Sequence, residues 1–485
     1  MNHFPDPKAP GRPPYGLATL ALLAMLVSGC AVGPNYQRPT TPEATTFKEA
    51  GDWVPAAPAD ALERGPWWQL FGDPVLNQLE SRVEVSNQNV AIAVGVYAQA
   101  RALVREQRAA LFPAVDLNGG VTRSRSSGNV NTGIPGRTAT NYQVSLGGTW
   151  EPDVWGRLGR AVDGANAGAQ ASAADLASAK LSAQGELAVN YFSLRQTDAQ
   201  KALLDSTIAG YTRALEITQN RYNAGIAAKT DLLQAQTQLA SSKADLAGLE
   251  RTRAQFEHAI AVLVGEVPAN FNLAPVANWV PTVPVVPLGV PSTLLQRRPD
   301  IAAAERRVAS ANEQIGIAKS AYYPNISLNA SAGSGASKVA DLFKAASSVW
   351  SLGLSAAQLI FDAGATAARV EGAEAGNAQA VARYRQTVLV AFQDVEDQLA
   401  ATRVLQVQQE LRRQASEAAD LVEQQVLNRY KSGQVGYTDV ITAQATAQNA
   451  RRTLVQAMAD RQTTAVALIQ SLGGGWQAGS ADTKP

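Results

Sequence analysis

The sequence contains few of the residues from which catalytic and metal sites are built. Its 485 residues include one cysteine, Cys30, and two histidines, His3 and His258. A single cysteine excludes an intramolecular disulfide and the usual zinc–thiolate clusters. The glycine run at 473–475 lacks the Lys and the Ser or Thr that complete a phosphate-binding loop. We therefore expect no enzymatic activity, no bound metal and no organic cofactor.

An excess of charge of one sign is also missing. Lys and Arg number 42 against 41 Asp and Glu, so the net charge is +1. Nucleic-acid-binding proteins carry clustered positive charge, and we expect no nucleic-acid partner.

The N-terminus carries the pattern of an export signal. Lys8 and Arg12 precede an apolar run at 17–27, which is too short to span a membrane. The run ends in Val27-Ser28-Gly29-Cys30, so we interpret residues 1–29 as a signal peptide.

Cys30 stands where a lipid-modified cysteine would stand. The sequence around it resembles a bacterial lipobox, which implies S-diacylglycerol and N-palmitoyl groups on Cys30 and a mature chain that begins there. Such acyl chains anchor a protein at about 0.8 kcal/mol per buried CH₂. Ala31, in place of Asp, indicates the outer membrane under the sorting rule for these lipoproteins. The alternative is an ordinary signal peptide with a bystander cysteine.

The chain is internally duplicated. Residues 220–236 align with 428–444 at an offset of 208 (428 − 220), with eight identities in seventeen positions. Five alanines and a proline between 91 and 113 recur between 302 and 324 at an offset of 211. A period this long indicates a duplicated half rather than a solenoid repeat.

Each half shows the same order of elements, namely a helix, two strands, a very long helix, a turn and another long helix. We expect a lipidated strap at 30–72, a first repeat at 73–275, a Pro-rich linker at 276–291, a second repeat at 292–473 and a tail at 474–485. The expected elements are strands at about 113–126, 138–150, 324–334 and 348–361, and long helices at about 156–222, 230–265, 364–430 and 438–472.

The longest of these helices would each span about 100 Å, which is too long for a compact globule. Leu232, Leu239 and Leu246 fall seven residues apart and predict coiled-coil packing. An isolated antiparallel coiled-coil hairpin would explain the heptads equally well, but it leaves the strands unexplained.

The strands alternate apolar and polar residues, as 325–332 shows, so each has one apolar face and one polar face. Two hairpins packed on a soluble core would give the same alternation. The export signal and the lipid anchor favour a membrane location, where a sheet must close into a barrel. About eight strands are the practical minimum for closure, so four require pooling between chains, and three chains would supply twelve.

Four segments resemble the outer-membrane factor family, in its lipoprotein branch. They are 32–39, 67–74, 297–305 and Tyr323-Pro324. The resemblance implies an α+β membrane protein: a homotrimer with a 12-stranded β-barrel in the outer membrane of a Gram-negative bacterium, a periplasmic α-helical barrel and a mixed α/β belt. It also implies a passive exit duct for drug efflux, opened by a periplasmic adaptor coupled to an inner-membrane transporter, commonly of the resistance-nodulation-division class.

The two turns between the long helices lie at the end opposite the strands, and in this family that end is the inner mouth. The resemblance places Asp231 and Asp439 at the constriction, so a trimer would carry six carboxylates there. Their expected partners across the hairpins are Arg221, Arg429, Tyr222 and Tyr430. The alternative is local, because both aspartates lie where helix N-caps belong.

Two glycines and three departures from relatives bear on this mouth. Gly225 and Gly433 fit a turn, and in relatives they also lie in grooves that accept the adaptor. Thr442 stands where a second acidic residue is often found, and Val435 and Gly436 lack a basic residue that some turns carry. We therefore do not assign the family's detailed closing contacts to this sequence.

Two other functions fit the same sequence. One is a duct for protein secretion, and the other is a lipid-anchored coiled-coil scaffold or adhesin that transports nothing.

Overall fold

The computed structural model describes residues 31–42, 44, 46–50, 66–125, 127, 137–284, 286 and 298–474. The predictions for the signal peptide, Cys30 and Arg297, and for most of the tail, concern residues outside these ranges. The helices are α1 (Pro74–Ser86), α2 (Gln88–Ala109), α3 (Arg157–Asn223), α4 (Lys229–Leu263), α5 (Pro299–Ser320), α6 (Ala365–Lys431) and α7 (Tyr437–Ser471). The strands are β1 (Ala114–Arg125), β2 (Thr138–Trp150), β3 (Asn325–Ala336) and β4 (Ser348–Ala357).

The helices repeat the duplication seen in the sequence. Helices α3 and α6 have 67 residues each, and α4 and α7 have 35 residues each. At 1.5 Å per residue the longer pair measure about 100 Å. Within the described part of the chain, no helix has both the length and the hydrophobicity needed to cross a membrane.

The four strands form one antiparallel sheet in the order β1-β2-β3-β4. Its register places Leu117, Leu146, Ala332 and Trp350 in one row across the sheet, so the apolar faces of all four strands coincide. On the opposite face the Ser327 and Ser355 hydroxyls lie 2.7 Å apart, and those of Ser331 and Ser351 lie 2.8 Å apart. The sheet thus has one apolar and one polar surface, as the alternation predicts.

Strand β4 is shorter than the expected 348–361 and ends at Ala357. Its last partner is Asn325, the first residue of β3. The residue before Asn325 is Pro324, which has no N–H to continue the ladder. Strands β1 and β4 pair on one side only among the described residues, so the sheet is open at both edges.

The chain divides into two compact units, and each takes residues from both repeats. The first comprises Met1–Pro39, Gln99–Ala169 and Arg306–Val381 and contains the sheet. The second comprises Thr40–Ala98, Gln170–Glu305 and Ala382–Pro485. The predicted repeats describe the duplication of the sequence, whereas the compact units are built across it.

The second unit explains one of the recognised sequence segments. Residues Trp67–Phe71 form a 3₁₀ turn in which Trp67, Trp68 and Phe71 are buried. Asp73 caps α1 by accepting the N–H groups of Val75 and Leu76 at 2.9 and 3.1 Å. The second carboxylate oxygen of Asp73 accepts the Tyr191 hydroxyl at 2.6 Å. This segment therefore fastens the start of α1 to α3.

A buried group of charged residues holds the extended chain after α4. Asp198, 3% exposed, accepts from Arg195 at 3.1 Å and from Arg253 at 2.7 Å. Arg195 also donates to the Ala274 carbonyl at 2.8 Å, and Asp198 accepts the Val276 N–H at 3.1 Å. These bonds satisfy the backbone of a Pro-rich stretch that cannot form a helix.

Candidate functional site: the paired helical turns

The turns after α3 and α6 have the same geometry. Gly225 and Gly433 have φ of +70° and +75°, which favours glycine. The N–H of Ile226 donates to the Arg221 carbonyl at 2.8 Å, and the N–H of Gln434 donates to the Arg429 carbonyl at 2.9 Å. This is the Schellman pattern that ends many helices. The turn accounts for both glycines, and their predicted adaptor contact stays a prediction.

The ends of four helices meet around Tyr430. Its ring is 4% exposed and lies 5.5 Å from that of Tyr437, which is 2% exposed. Ala214 of α3, Ala235 of α4 and Val440 of α7 complete this cluster, which we call the tyrosine cluster. Each helix contributes at least one residue, so the cluster joins the two turns within one chain.

Arg221 fastens the first turn to the second. Its Nη1 donates to the Tyr430 carbonyl at 3.0 Å, and its guanidinium carbon lies 4.8 Å from the centre of the Tyr430 ring. A cation at the C-terminus of α6 also interacts favourably with the helix dipole. The structure thus brings together two of the predicted residues, Arg221 and Tyr430.

The two aspartates occupy different environments. Asp439 is exposed, and its Oδ2 accepts the Gly436 N–H at 3.1 Å, as in a capping box at the start of α7. Asp231 is half-buried near Tyr437. Burial, followed by the neighbouring Tyr430, Tyr211 and Asp231, raises the pKa of Tyr437 to about 12.

The remaining predicted residues face solvent. Tyr222 is 37% exposed, and Arg429 is exposed. Among the described residues of one chain, no hydrogen bond or ion pair joins Asp231 or Asp439 to Arg221 or Arg429. The proposed ring of carboxylates concerns contacts between chains and stays a prediction. His258 is exposed on α4.

Sequence reasoning missed Tyr437 and Gln444. Gln444 is 5% exposed, and its Oε1 is buried without a hydrogen-bond partner. A signal for Tyr437 was present in the duplication, because the equivalent position (437 − 208 = 229) holds Lys229. The two turns match in backbone but differ in the residues that fill the space between them.

The site offers hydrogen bonds and charged side chains. Within the described ranges there is no group of three or more His, Cys, Asp or Glu side chains placed to hold a metal ion. The long helices α3 and α6, which end at these turns, follow strands β2 and β4 of a sheet with an apolar face.

Comparison with known proteins identifies the family. The family described as Outer membrane efflux protein matches residues 79–266 and 290–474. The probable efflux pump outer membrane protein TtgC of Pseudomonas putida is 32% identical over 95% of this chain and 96% of its own. The solvent efflux pump outer membrane protein SrpC of the same species is 31% identical over 94% and 98%. The solved outer-membrane channel OprN has a TM-score of 0.86 and 28% identity, covering 92% of this chain and all of that one.

The chain belongs to the outer membrane efflux protein family. It is an outer-membrane exit channel of an efflux system, located in the outer membrane of a Gram-negative bacterium and extending into the periplasm. The predicted family and the predicted α+β membrane fold are confirmed. These relatives are efflux channels rather than enzymes.

Proposed function

We propose that three copies of this chain form a passive duct that carries small organic molecules across the outer membrane. The observation that carries the proposal is the open sheet, because β1 and β4 each have an apolar face and one edge without a partner strand in the part of the chain that the structure describes. Strands of 10 to 13 residues are long enough to cross a bilayer when tilted. Twelve of them leave an open lumen, which four cannot form.

The energy for export comes from other proteins. In a tripartite pump an inner-membrane transporter supplies the energy, and a periplasmic adaptor connects it to the duct. The names of TtgC and SrpC, which describe components of efflux pumps, support such partners. The turns at Gly225 and Gly433 are exposed, and a Cβ added at either glycine would meet nothing within 4 Å, so both are accessible to an adaptor. The duct itself performs no catalysis.

The tyrosine cluster holds the inner mouth closed within each chain. Opening the mouth requires α3 and α6 to separate at their ends, which breaks the Arg221–Tyr430 hydrogen bond and cation–π contact. Asp231 and Asp439 from three chains add like charges around the mouth. These charges favour cations and oppose closure, at about 1 kcal/mol for a pair 4 Å apart in water.

Solvent and antibiotic efflux are favoured over protein secretion as the task of the duct. TtgC and SrpC, each similar over nearly its whole length, are both named as efflux pump proteins, SrpC for solvents. The duct is anchored in addition by S-diacylglycerol and N-palmitoyl groups on Cys30. The N-terminal lipid adds membrane affinity that does not depend on the strands.

Two measurements test the proposal. Purified protein in a planar bilayer should conduct ions, and a coiled-coil scaffold or adhesin would not. Deleting the gene should make cells more sensitive to organic solvents and antibiotics while leaving the set of secreted proteins unchanged. Unchanged sensitivity together with lost secretion would contradict efflux and support the secretion duct.

A further inference from the structure

The first residues of the described chain are held in a buried seat. Arg160, 6% exposed, donates from Nη2 to the Gly33 carbonyl at 3.2 Å and from Nη1 to the Pro34 carbonyl at 3.1 Å. Its Nη1 also donates to Glu313 at 2.7 Å, and Asn312 donates to the Pro34 carbonyl at 3.0 Å. We call Arg160, Asn312, Glu313 and Gly316 the strap seat.

Two glycines allow the strap to approach this closely. Gly33 has φ of +108°, and a Cβ there would lie 2.5 Å from the Cα of Gly316. A Cβ at Gly316 would collide with the side chain of Arg160 and lie 2.9 Å from the Val32 carbonyl oxygen. Only glycine fits at either position, so strap and seat are matched in shape as well as in hydrogen bonds.

The seat places the end of the strap beside the sheet. The Val32 N–H donates to the Trp155 carbonyl at 3.1 Å, five residues after β2 ends. Trp155 stacks on Tyr323 at 4.8 Å and donates to the Pro324 carbonyl at 2.7 Å, immediately before β3 begins. Cys30 directly precedes Ala31 in the sequence. The residues that directly follow the proposed lipidation site are therefore tied to the end of the sheet where β2 stops and β3 starts.

We propose that Arg160 is the positioning residue for the lipid anchor, and that the strap seat fixes where the acyl chains enter the membrane relative to the strands. The seat holds the strap whether or not the lipid is attached. The planar guanidinium suits this task because it binds two carbonyls and a carboxylate at once, which a Lys ammonium on a flexible stem does less well. The proposal rests on the lipidation of Cys30 proposed above.

The test is hydrogen exchange of the Val32 amide in the full-length protein, with the mass of the N-terminal peptide measured in parallel. Arg160→Met should speed Val32 exchange at least tenfold, while the Leu158 and Gly159 amides, which donate to Asp153, stay unchanged. Arg160→Lys should give a smaller acceleration. All these variants should keep the lipid mass.

Variants of the strap itself separate the seat from the lipid. Gly33→Ala should accelerate Val32 exchange as Arg160→Met does, while Gly72→Ala, at a glycine with φ of +65° and open space around it, should not. Cys30→Ser should lose the lipid mass and keep slow exchange at Val32.

Two exchange results would overturn the proposal. The first is fast exchange at Val32 in Cys30→Ser, which would mean that the lipid holds the strap. The second is unchanged exchange at Val32 in Arg160→Met. A wild-type N-terminal peptide without lipid would refute the lipidation of Cys30, and with it this proposal, even if Val32 stayed protected.

Discussion

Glu80 makes the pH dependence of stability testable. It lies on the apolar face of α1, is fully buried, and both its carboxylate oxygens lack a hydrogen-bond partner. Burial, assisted by the neighbouring Glu84, raises the pKa of Glu80 from 4.5 to about 9. The folded protein therefore holds this group as a neutral acid at pH 7, whereas the unfolded chain releases the proton above pH 4.5.

The direction of the effect follows from proton linkage. Between pH 4.5 and about pH 9 the folded state binds more protons than the unfolded state, so stability falls as the pH rises. One pKa unit corresponds to about 1.4 kcal/mol, so the cost at pH 7 is about 3 kcal/mol. The variant Glu80→Gln does not ionise and should escape this cost. Its stability relative to wild type should increase by about 4 kcal/mol between pH 5 and pH 8.

The assay is denaturant unfolding of the detergent-solubilised protein at pH 5, 6, 7 and 8, followed by tryptophan fluorescence. Glu84→Gln serves as the control, because Glu84 is exposed and its variant should keep most of the wild-type pH dependence. Parallel pH profiles for wild type and Glu80→Gln would refute the reasoning and show that Glu80 is ionised or hydrogen-bonded in the folded protein.

Three further predictions concern the paired helical turns and the ion pairs of Asp198. Arg221→Met should make single channels open more often, because about 1–3 kcal/mol of closed-state contacts is lost; Arg429→Met, at an exposed position, should behave as wild type. Replacing Asp231 and Asp439 together by Ala should lower single-channel cation conductance and weaken cation preference, because the carboxylates that attract cations to the mouth are removed; unchanged conductance and selectivity would reduce both to helix caps. Asp198→Ala should lower the free energy of unfolding by about 3–5 kcal/mol, since it removes the only carboxylate that the structure places on the buried Arg195 and one of the two on Arg253, and a loss below about 1 kcal/mol would contradict that role.

The strands and helices could be predicted from local patterns in the sequence. The strands could be predicted because their alternation has a period of two and places apolar residues such as Leu117 and Leu146 on one face. The long helices could be predicted because α3 and α6 contain no proline and occupy equivalent positions in the duplicated sequence. The boundary at Ala357 depended on its partner strand and was missed by a few residues.

Contacts between the two repeats could not be predicted from the sequence. Tyr222 and Tyr430 occupy equivalent positions in the duplicated sequence, yet one is exposed and the other is the centre of the tyrosine cluster. The difference arises from Tyr437 and Arg221, which approach only when the two turns meet. Gly33 was recognised as part of a segment that resembles the family, but the sequence did not indicate that Gly316 packs against it.

The central claim is that three chains share one barrel. Cross-linking the sheet edge of one chain to the opposite sheet edge of its neighbour tests it most directly. Cysteines at Leu117 of β1 and at Trp350, Leu352 or Leu354 of β4 lie on opposite edges of the sheet in one chain. Cys30→Ser supplies a background without other cysteines. Oxidation in the membrane should give covalent dimers and trimers for at least one pair, and no covalent species for any of the four single-cysteine variants. Monomers alone for every pair, with both edges reactive to a water-soluble thiol reagent, would contradict the shared barrel.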